Sequence, residues 1–305
     1  MLVLGGANMD MTATTAQALV LADSNPGVIR CAPGGVARNV AENLARLGVN
    51  TRLLAAVGDD PYGRSLLEAT QKTGVDVQGC WILPGQTTST YVSLHGPAGD
   101  LAVAVNDMRI LECLTPERLA AQAEHVRHAA ALVVDCNLTA DALAWVFAHR
   151  GNTPVFVDAV SAFKCPRIRP WLNQVHTLKV NRQEAQALCG FTVQSDAEIE
   201  SAAQWLHHQG VQQVVLSLGA HGVYWSGKDA AHGWQGTLPA VVVNVSGGGD
   251  ALMAGLVHGF MSQQGLAESI PFALACAALT LSAEQANHPG LSVDSVLQLL
   301  RSAAN

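Results

Sequence analysis

The chain has 305 residues, of which 49% are hydrophobic and 13% charged, and it carries a net charge of −7. That composition excludes disorder and describes a packed soluble globule, with enough length for about two domains. The acidic balance, with no Lys/Arg cluster, argues against nucleic acid and for a small or neutral partner.

Seven scattered cysteines (Cys31, Cys80, Cys113, Cys136, Cys165, Cys189, Cys276) include no CxxC pair. Neither a disulfide framework nor a zinc site is expected, and reduced thiols suggest the cytoplasm. The opening MLVLGGANMDM lacks a basic n-region, and its apolar run is too short for a signal peptide. No stretch approaches the roughly 18–20 apolar residues of a membrane span.

In chain order, residues 2–6 are predicted as a strand, 36–47 as a helix, 51–57 as a strand and 62–73 as a helix. A helix over 116–128 precedes a strand over 131–135, a helix over 140–148, and strands over 155–158 and 175–180. Helices over 182–188 and 196–209 lead to strands over 214–218, 223–225 and 241–245. Helices over 249–263 and 267–285 follow. This βαβ rhythm predicts an α/β fold, a mainly parallel sheet covered on both faces, with ligands at the carboxyl ends of the strands. Residues 11–21 and 87–105 break the rhythm with polar–apolar alternation, the latter around a Gly96–Asp100 turn. A small antiparallel sheet from about 11–30 and 87–107 is expected, projecting from one domain over 1–305 as a lid or an oligomer surface.

Polar motifs fall at the predicted strand ends. Asn8 and Asp10, after Gly5-Gly6, share one face at period two, and an amide with a carboxylate suits vicinal hydroxyls. A polar turn explains them equally well. Gly34 and Gly35 open the helix that carries Asn39, which suits either a ligand near the main chain or close helix–sheet packing. Asn181 and Glu184 stand at i and i+3, fitting either a capping box or the water shell of a phosphate-bound Mg²⁺. The turn Ser217-Leu218-Gly219-Ala220-His221-Gly222 leaves room for a nucleotide, or makes a plain hairpin.

The run Asn244-Val245-Ser246-Gly247-Gly248-Gly249-Asp250 carries the most chemistry. Three glycines before a helix expose backbone N–H groups to an anion at the positive end of the helix dipole. Asp250 beside that nest could take a proton from an attacking hydroxyl, although a Gly-rich turn with an N-cap Asp is a common structural device.

As an ordered set over nearly the whole length, these motifs resemble the ribokinase-like carbohydrate kinases of the PfkB family. The resemblance implies a ribokinase-like three-layer α/β/α fold with a lid sheet, ATP as phosphoryl donor, Mg²⁺ and possible K⁺ use. It implies Asp250 as catalytic base and Gly247, Gly248 and Gly249 as the anion hole. Asn8 and Asp10 would bind ribose hydroxyls, with Gly34, Gly35 and Asn39 closing around the sugar. Ser24, Asn25, Asn106 and Asp107 would approach from the lid, and Asn137 from a strand end. Asn181 and Glu184 would serve the phosphates and, through water, Mg²⁺, while Ser217, Gly219 and Gly222 line the nucleotide pocket and Asn287 reaches the adenine. Asn244 and Ser246 would border a monovalent cation. The signature departs from the family at Asn244, where Asp is usual, and at Gly248, where Ala is usual.

Residues 22–27, Asn106-Asp107-Met108, Asp135-Cys136-Asn137, residues 160–164 and Asn244 are similar to a nucleoside-phosphorylating branch of the family. The expected partners are therefore a nucleoside and ATP, with a homodimer formed through the lid. Another nucleoside or sugar (uridine, inosine, adenosine, ribose) is the alternative, as is a non-catalytic ligand-binding regulator on the same scaffold. A dinucleotide oxidoreductase lacks its GxGxxG fingerprint here.

Overall fold

The computed structural model describes residues 1–303. Its main sheet has eight strands in the order His232–Gln235, Val223–Gly227, Gln213–Ser217, Thr177–Asn181, Val155–Asp158, Leu132–Asp135, Leu2–Leu4, Arg52–Leu54. The last six pair in parallel, and the two at the first edge are antiparallel. Parallel neighbours need crossovers, and the helices that supply them cover both faces, which is why the inner strands are mostly apolar, with polar residues gathered mainly toward their ends.

Alternate residues of each strand feed two cores. Val3, Leu53, Val133 and Phe156 pack with the helices Val36–Arg46, Gly248–Met261, Leu266–Leu281 and Val293–Ala303. Leu4, Val134, Val157 and Leu178 pack with Ala140–His149, Arg182–Cys189 and Asp196–His208 on the other face. Burial of a side chain such as Phe156 contributes about 1.5–3 kcal/mol. Gly255 lets the helices Gly248–Met261 and Leu266–Leu281 touch, because a Cβ there would come within 2.9 Å of Ala273 Cβ.

A second sheet stands apart, in the order Gly27–Gly34, Asn8–Thr15, Thr90–His95, Leu101–Asp107. It is mixed rather than antiparallel, because Asn8–Thr15 runs parallel to Thr90–His95. Its hairpin runs from Asn8 to Gly34, wider than the expected 11–30, so Asn8, Asp10 and Gly34 lie at its base. Register divides its two faces. Asp10, Ala32, Tyr91 and Asn106 form one row, whereas Met11, Cys31, Val92 and Val105 lie on the opposite face with Ala13, Ile29, Leu94 and Val103.

Three further expectations are corrected, and two elements are additional. Residues 241–245 form no strand: no strand pairs with them, and the N–H groups of Val243 and Asn244 donate to Leu281 O. The predicted strand 51–57 divides between the main sheet (Arg52–Leu54) and a separate pair formed by Ala56–Gly58 and Trp81–Leu83. The predicted helix 116–128 is interrupted at Ala120–Gln122 by a 3₁₀ turn, where Ala123 N–H reaches Ala120 O. The helix Val293–Ala303 and the 3₁₀ segment Cys165–Gln174 were not anticipated.

Candidate active site

Parallel strands deliver their carboxyl ends to one edge of the sheet, and register aligns what those ends carry. Asp135 is opposite Asp158, and Asp158 is opposite Lys179, so three charged side chains form a row across adjacent strands. They share the parity of Val133 and Phe156 and therefore emerge on the face of the helices Val36–Arg46 and Gly248–Met261. Lys179 Nζ donates to Asp158 Oδ2 at 2.6 Å, and all three side chains are buried. Burial opposes the charge on Lys179, but Asp158, Glu184 and Asp250 together hold its ammonium above the ordinary value.

The glycine turn meets this row. Gly247 caps the helix Gly248–Met261 in the left-handed region (φ 79°), with Ala286 O where a Cβ would stand. A Cβ on Gly249 would lie 2.8 Å from Lys179 Nζ, so the turn rests on that ammonium. The N–H groups of the first helical turn have no intrahelical acceptors, which leaves them for an anion. Asp250 accepts from Asn39 Nδ2 at 2.8 Å. Burial and the nearby Asp158 charge push its carboxyl up to about 7, against the opposing effects of Lys179 and Asn39. A carboxyl poised there can exchange a proton near neutral pH.

The Asn8–Asp10 and Gly34–Asn39 motifs converge beside it. Asn8 Nδ2 donates to Asp10 Oδ1 at 2.5 Å. Burial raises Asp10 to about 6, with the Asn8 bond and the Arg38 charge opposing. Gly34 lies against the Asp10 carboxylate and Gly35 (φ 100°) against the backbone of Gly6 and Ala7, with no room for a Cβ at either position. Asn137 Oδ1 accepts from Lys164 Nζ at 2.6 Å. From the lid, Asn106 shares the Asp10 row, whereas Asp107 lies on the opposite face and pairs with Arg109 at 2.5 Å. That pair holds the Asp107 carboxyl down at about 2.

Ser24 and Asn25 are not brought to this cluster. They close the turn beyond Thr15 and Gly27, an eight-residue strand or roughly 25 Å from Asn8, and Asn25 is bonded to Val20 and Asp23. Asn287 is buried against the helix Val36–Arg46: its Oδ1 accepts from Arg38, and its Nδ2 donates to Asn39 O and Asn43 Oδ1.

Asn181 and Glu184 form a complete capping box for the helix Arg182–Cys189. Burial raises the Glu184 carboxyl, with Lys179 opposing. Ser217 is in register with Asn181, its hydroxyl donating weakly to Val180 O, and Gly219 and Gly222 hold positive φ at the following turn. Gly219 faces open space, while Gly222 abuts Gln235 O. Asn244 accepts from Ser246 N and donates to Glu284 O, tying the glycine loop to the end of the helix Leu266–Leu281. Among the described residues no three His, Cys, Asp or Glu side chains gather to hold a metal ion. The lone Glu184 carboxylate, braced by Asn181, fits a divalent ion that arrives on nucleotide phosphates and keeps most of its waters.

Sequence reasoning missed Asp158 and Lys179 as site residues and gave Asp135 no role. The available signal was a polar residue at or near the end of each apolar strand, but only sheet register unites those residues.

This fold and site define a phosphotransferase of the ribokinase type, and the chain belongs to the pfkB family of carbohydrate kinases, whose model matches residues 1–292. It is 45% identical over 301 residues to pseudouridine kinase of Escherichia coli K12, covering 99% of this chain and 96% of that relative. An uncharacterized sugar kinase of the same organism is 43% identical over 299 residues, covering 98% and 82%. Among solved structures, Arabidopsis thaliana ribokinase complexed with ribose and ATP matches with a TM-score of 0.90 at 22% identity, covering 98% of each chain, which supports the fold. No helix among the described residues is long and apolar enough to cross a membrane.

Proposed function

We propose that this kinase transfers the γ-phosphoryl group of ATP to the 5′-hydroxyl of pseudouridine, giving pseudouridine 5′-phosphate and ADP. The observation that carries the reading is the Asn39–Asp250 bond at 2.8 Å, which joins the sugar-side helix to a base poised near neutrality at the glycine turn. The choice of pseudouridine rests on the 45% identity to the E. coli enzyme.

Asp250 accepts the 5′-hydroxyl proton as that oxygen attacks the γ-phosphorus and the bond to the β-phosphate oxygen breaks. The N–H groups of Gly247, Gly248, Gly249 and Asp250, with the Lys179 ammonium beneath, stabilise the charge on the transferring group. Asn8 and Asp10 take the ribose hydroxyls, Gly34, Gly35 and Asn39 close around the sugar, and Asn137 and Asn106 approach from strand end and lid. Asp107, Ser24 and Asn25 serve the lid's own turns. Asn181 and Glu184 face the phosphates, and Ser217, Gly219 and Gly222 line the nucleotide side. Glu184, braced by Asn181, would hold the water shell of a Mg²⁺ ion arriving with ATP, which when bound would supply neutralisation of phosphate charge. Asn244 and Ser246 border a K⁺ site; with Asn244 neutral where the family has Asp, stimulation by K⁺ is expected to be weak.

We further propose a cytoplasmic homodimer paired through the lid. The face opposite Asp10 leaves Ile29, Val103 and Val105 at 73%, 52% and 66% exposure, an apolar face that a second copy would cover. Seven free cysteines agree with a reducing compartment.

ADP release measured with pseudouridine, uridine, inosine, adenosine and ribose tests the substrate. Pseudouridine should give the highest kcat/KM. A preference for uridine or ribose would move the chain to another branch, and no ADP above background with any of them would leave only ligand binding.

A further inference from the structure

The acceptor side of the site is assembled from three separate chain segments, and one buried carboxylate touches all of them. Asp135 Oδ2 accepts the backbone N–H of Gly6 at 2.8 Å and of Ala37 at 3.0 Å, and Oδ1 accepts the N–H of Asn137 at 2.9 Å. Gly6 precedes the Asn8–Asp10 motif, Ala37 lies between Gly35 and Asn39, and Asn137 is itself a strand-end candidate.

The neighbouring geometry is fitted to this carboxylate. The helix Val36–Arg46 begins at Gly35, which has no capping side chain, and its first turn has no acidic residue. Asp135 supplies both from another strand: a cap for an orphan N–H and a negative charge at the positive end of the dipole. Gly6 is held from both ends, since its carbonyl accepts from Arg38 N at 3.2 Å. Gly5 leaves no room for a Cβ against the carboxylate, and a Cβ on Gly6 would lie 2.8 Å from Asn137 Nδ2. Asp135 is 1% exposed, and both of its carboxylate oxygens are taken up by these backbone N–H groups.

We propose that Asp135 is the positioning residue of the nucleoside half of the site, setting Asn8, Asn39 and Asn137 in register through three backbone bonds. The proposal rests on the kinase reading above for the identity of the ligand, but not for the clamp itself. It makes the nucleoside and nucleotide halves separable: the Asn181, Glu184 and Ser217 side belongs to strands that Asp135 does not bond.

Asp135→Asn keeps the shape but turns an amide N–H₂ toward N–H donors. Full-length wild type and variant are compared by calorimetric titration with pseudouridine and, separately, with ADP. Backbone amide exchange is followed without ligand. The expected result is at least a roughly tenfold rise in pseudouridine Kd with ADP Kd changed less than about twofold. Amides of Gly6, Ala37 and Asn137 should lose protection together while Asp196–His208 does not change. Unchanged pseudouridine affinity, or parallel loss of both ligands, overturns the proposal. Should Asp135→Asn not fold, Gly6→Ala disturbs the same junction through Asn137 and should give the same one-sided loss; equal effects on both ligands there overturn it. A wild type that binds no pseudouridine defeats the substrate reading instead, and the exchange comparison still decides the clamp.

Discussion

Asn39 and Asp250 are 211 residues apart in the chain, yet the amide of one donates to the carboxylate of the other at 2.8 Å. The bond favours the ionised form of Asp250 and orients it toward the sugar side. Asn39→Ala should therefore lower kcat at pH 7 by roughly tenfold or more and move the acid limb of the pH–kcat profile upward. A kcat series across that limb reads both effects. An unshifted limb with unchanged kcat would mean that the bond is structural only.

Asp250 stands at about 7, above the ordinary 3.8, because of burial and the Asp158 charge. As a base it must be ionised, so kcat/KM should fall as pH drops below about 7. Stability carries the opposite sign. Between those two values the folded state holds a proton that the unfolded chain has released, so this contribution is complete below 3.8 and is lost as pH rises through about 7. Asp250→Asn should thus have a higher Tm than wild type at pH 8, with the gap narrowing toward pH 5. Thermal melts at both pH values check the sign.

Gly247 caps its helix at φ 79°, with Ala286 O against it. Gly247→Ala carries a left-handed conformational cost of about 1–2 kcal/mol, plus displacement of the Ala286 carbonyl. Turnover should fall at least tenfold with a lowered Tm, whereas Gly219→Ala, facing open space at φ 60°, should meet only the conformational cost. Melting curves and ADP release on the two variants make the comparison.

The apolar lid face predicts a concentration-dependent assembly. Val105→Glu places a charge on the edge strand, at the end of the row shared with Cys31, Met11 and Val92, and should shift sedimentation from dimer to monomer. Wild type sedimenting as a monomer at micromolar concentration would remove the lid dimer.

Much of the fold was legible because amphipathic spacing is local. The pattern Val36, Val40, Leu44 predicted a helix over 36–47, and the structure has Val36–Arg46. Asn181 and Glu184 were recognisable as a capping pair for the same reason. The β-branched run at 241–245 misled, because strand propensity needs a partner strand and this segment instead packs against the end of a helix. The helix Val293–Ala303 went unnoticed although Val293, Val296, Leu299 and Leu300 carry its apolar stripe. For the site, glycine turns and their neighbouring amides were visible in the sequence. The Asp135–Asp158–Lys179 row was not, since three residues spread over 45 positions meet only through strand register.

Turnover of Asp250→Asn with pseudouridine and ATP at pH 7.5, alongside pseudouridine binding by calorimetry, tests most directly whether Asp250 is the base. With Asp250 as the base, kcat should fall by roughly a thousandfold or more while the Kd for pseudouridine stays within about threefold of wild type. A variant that keeps kcat within tenfold of wild type would contradict the assignment of Asp250 as the base.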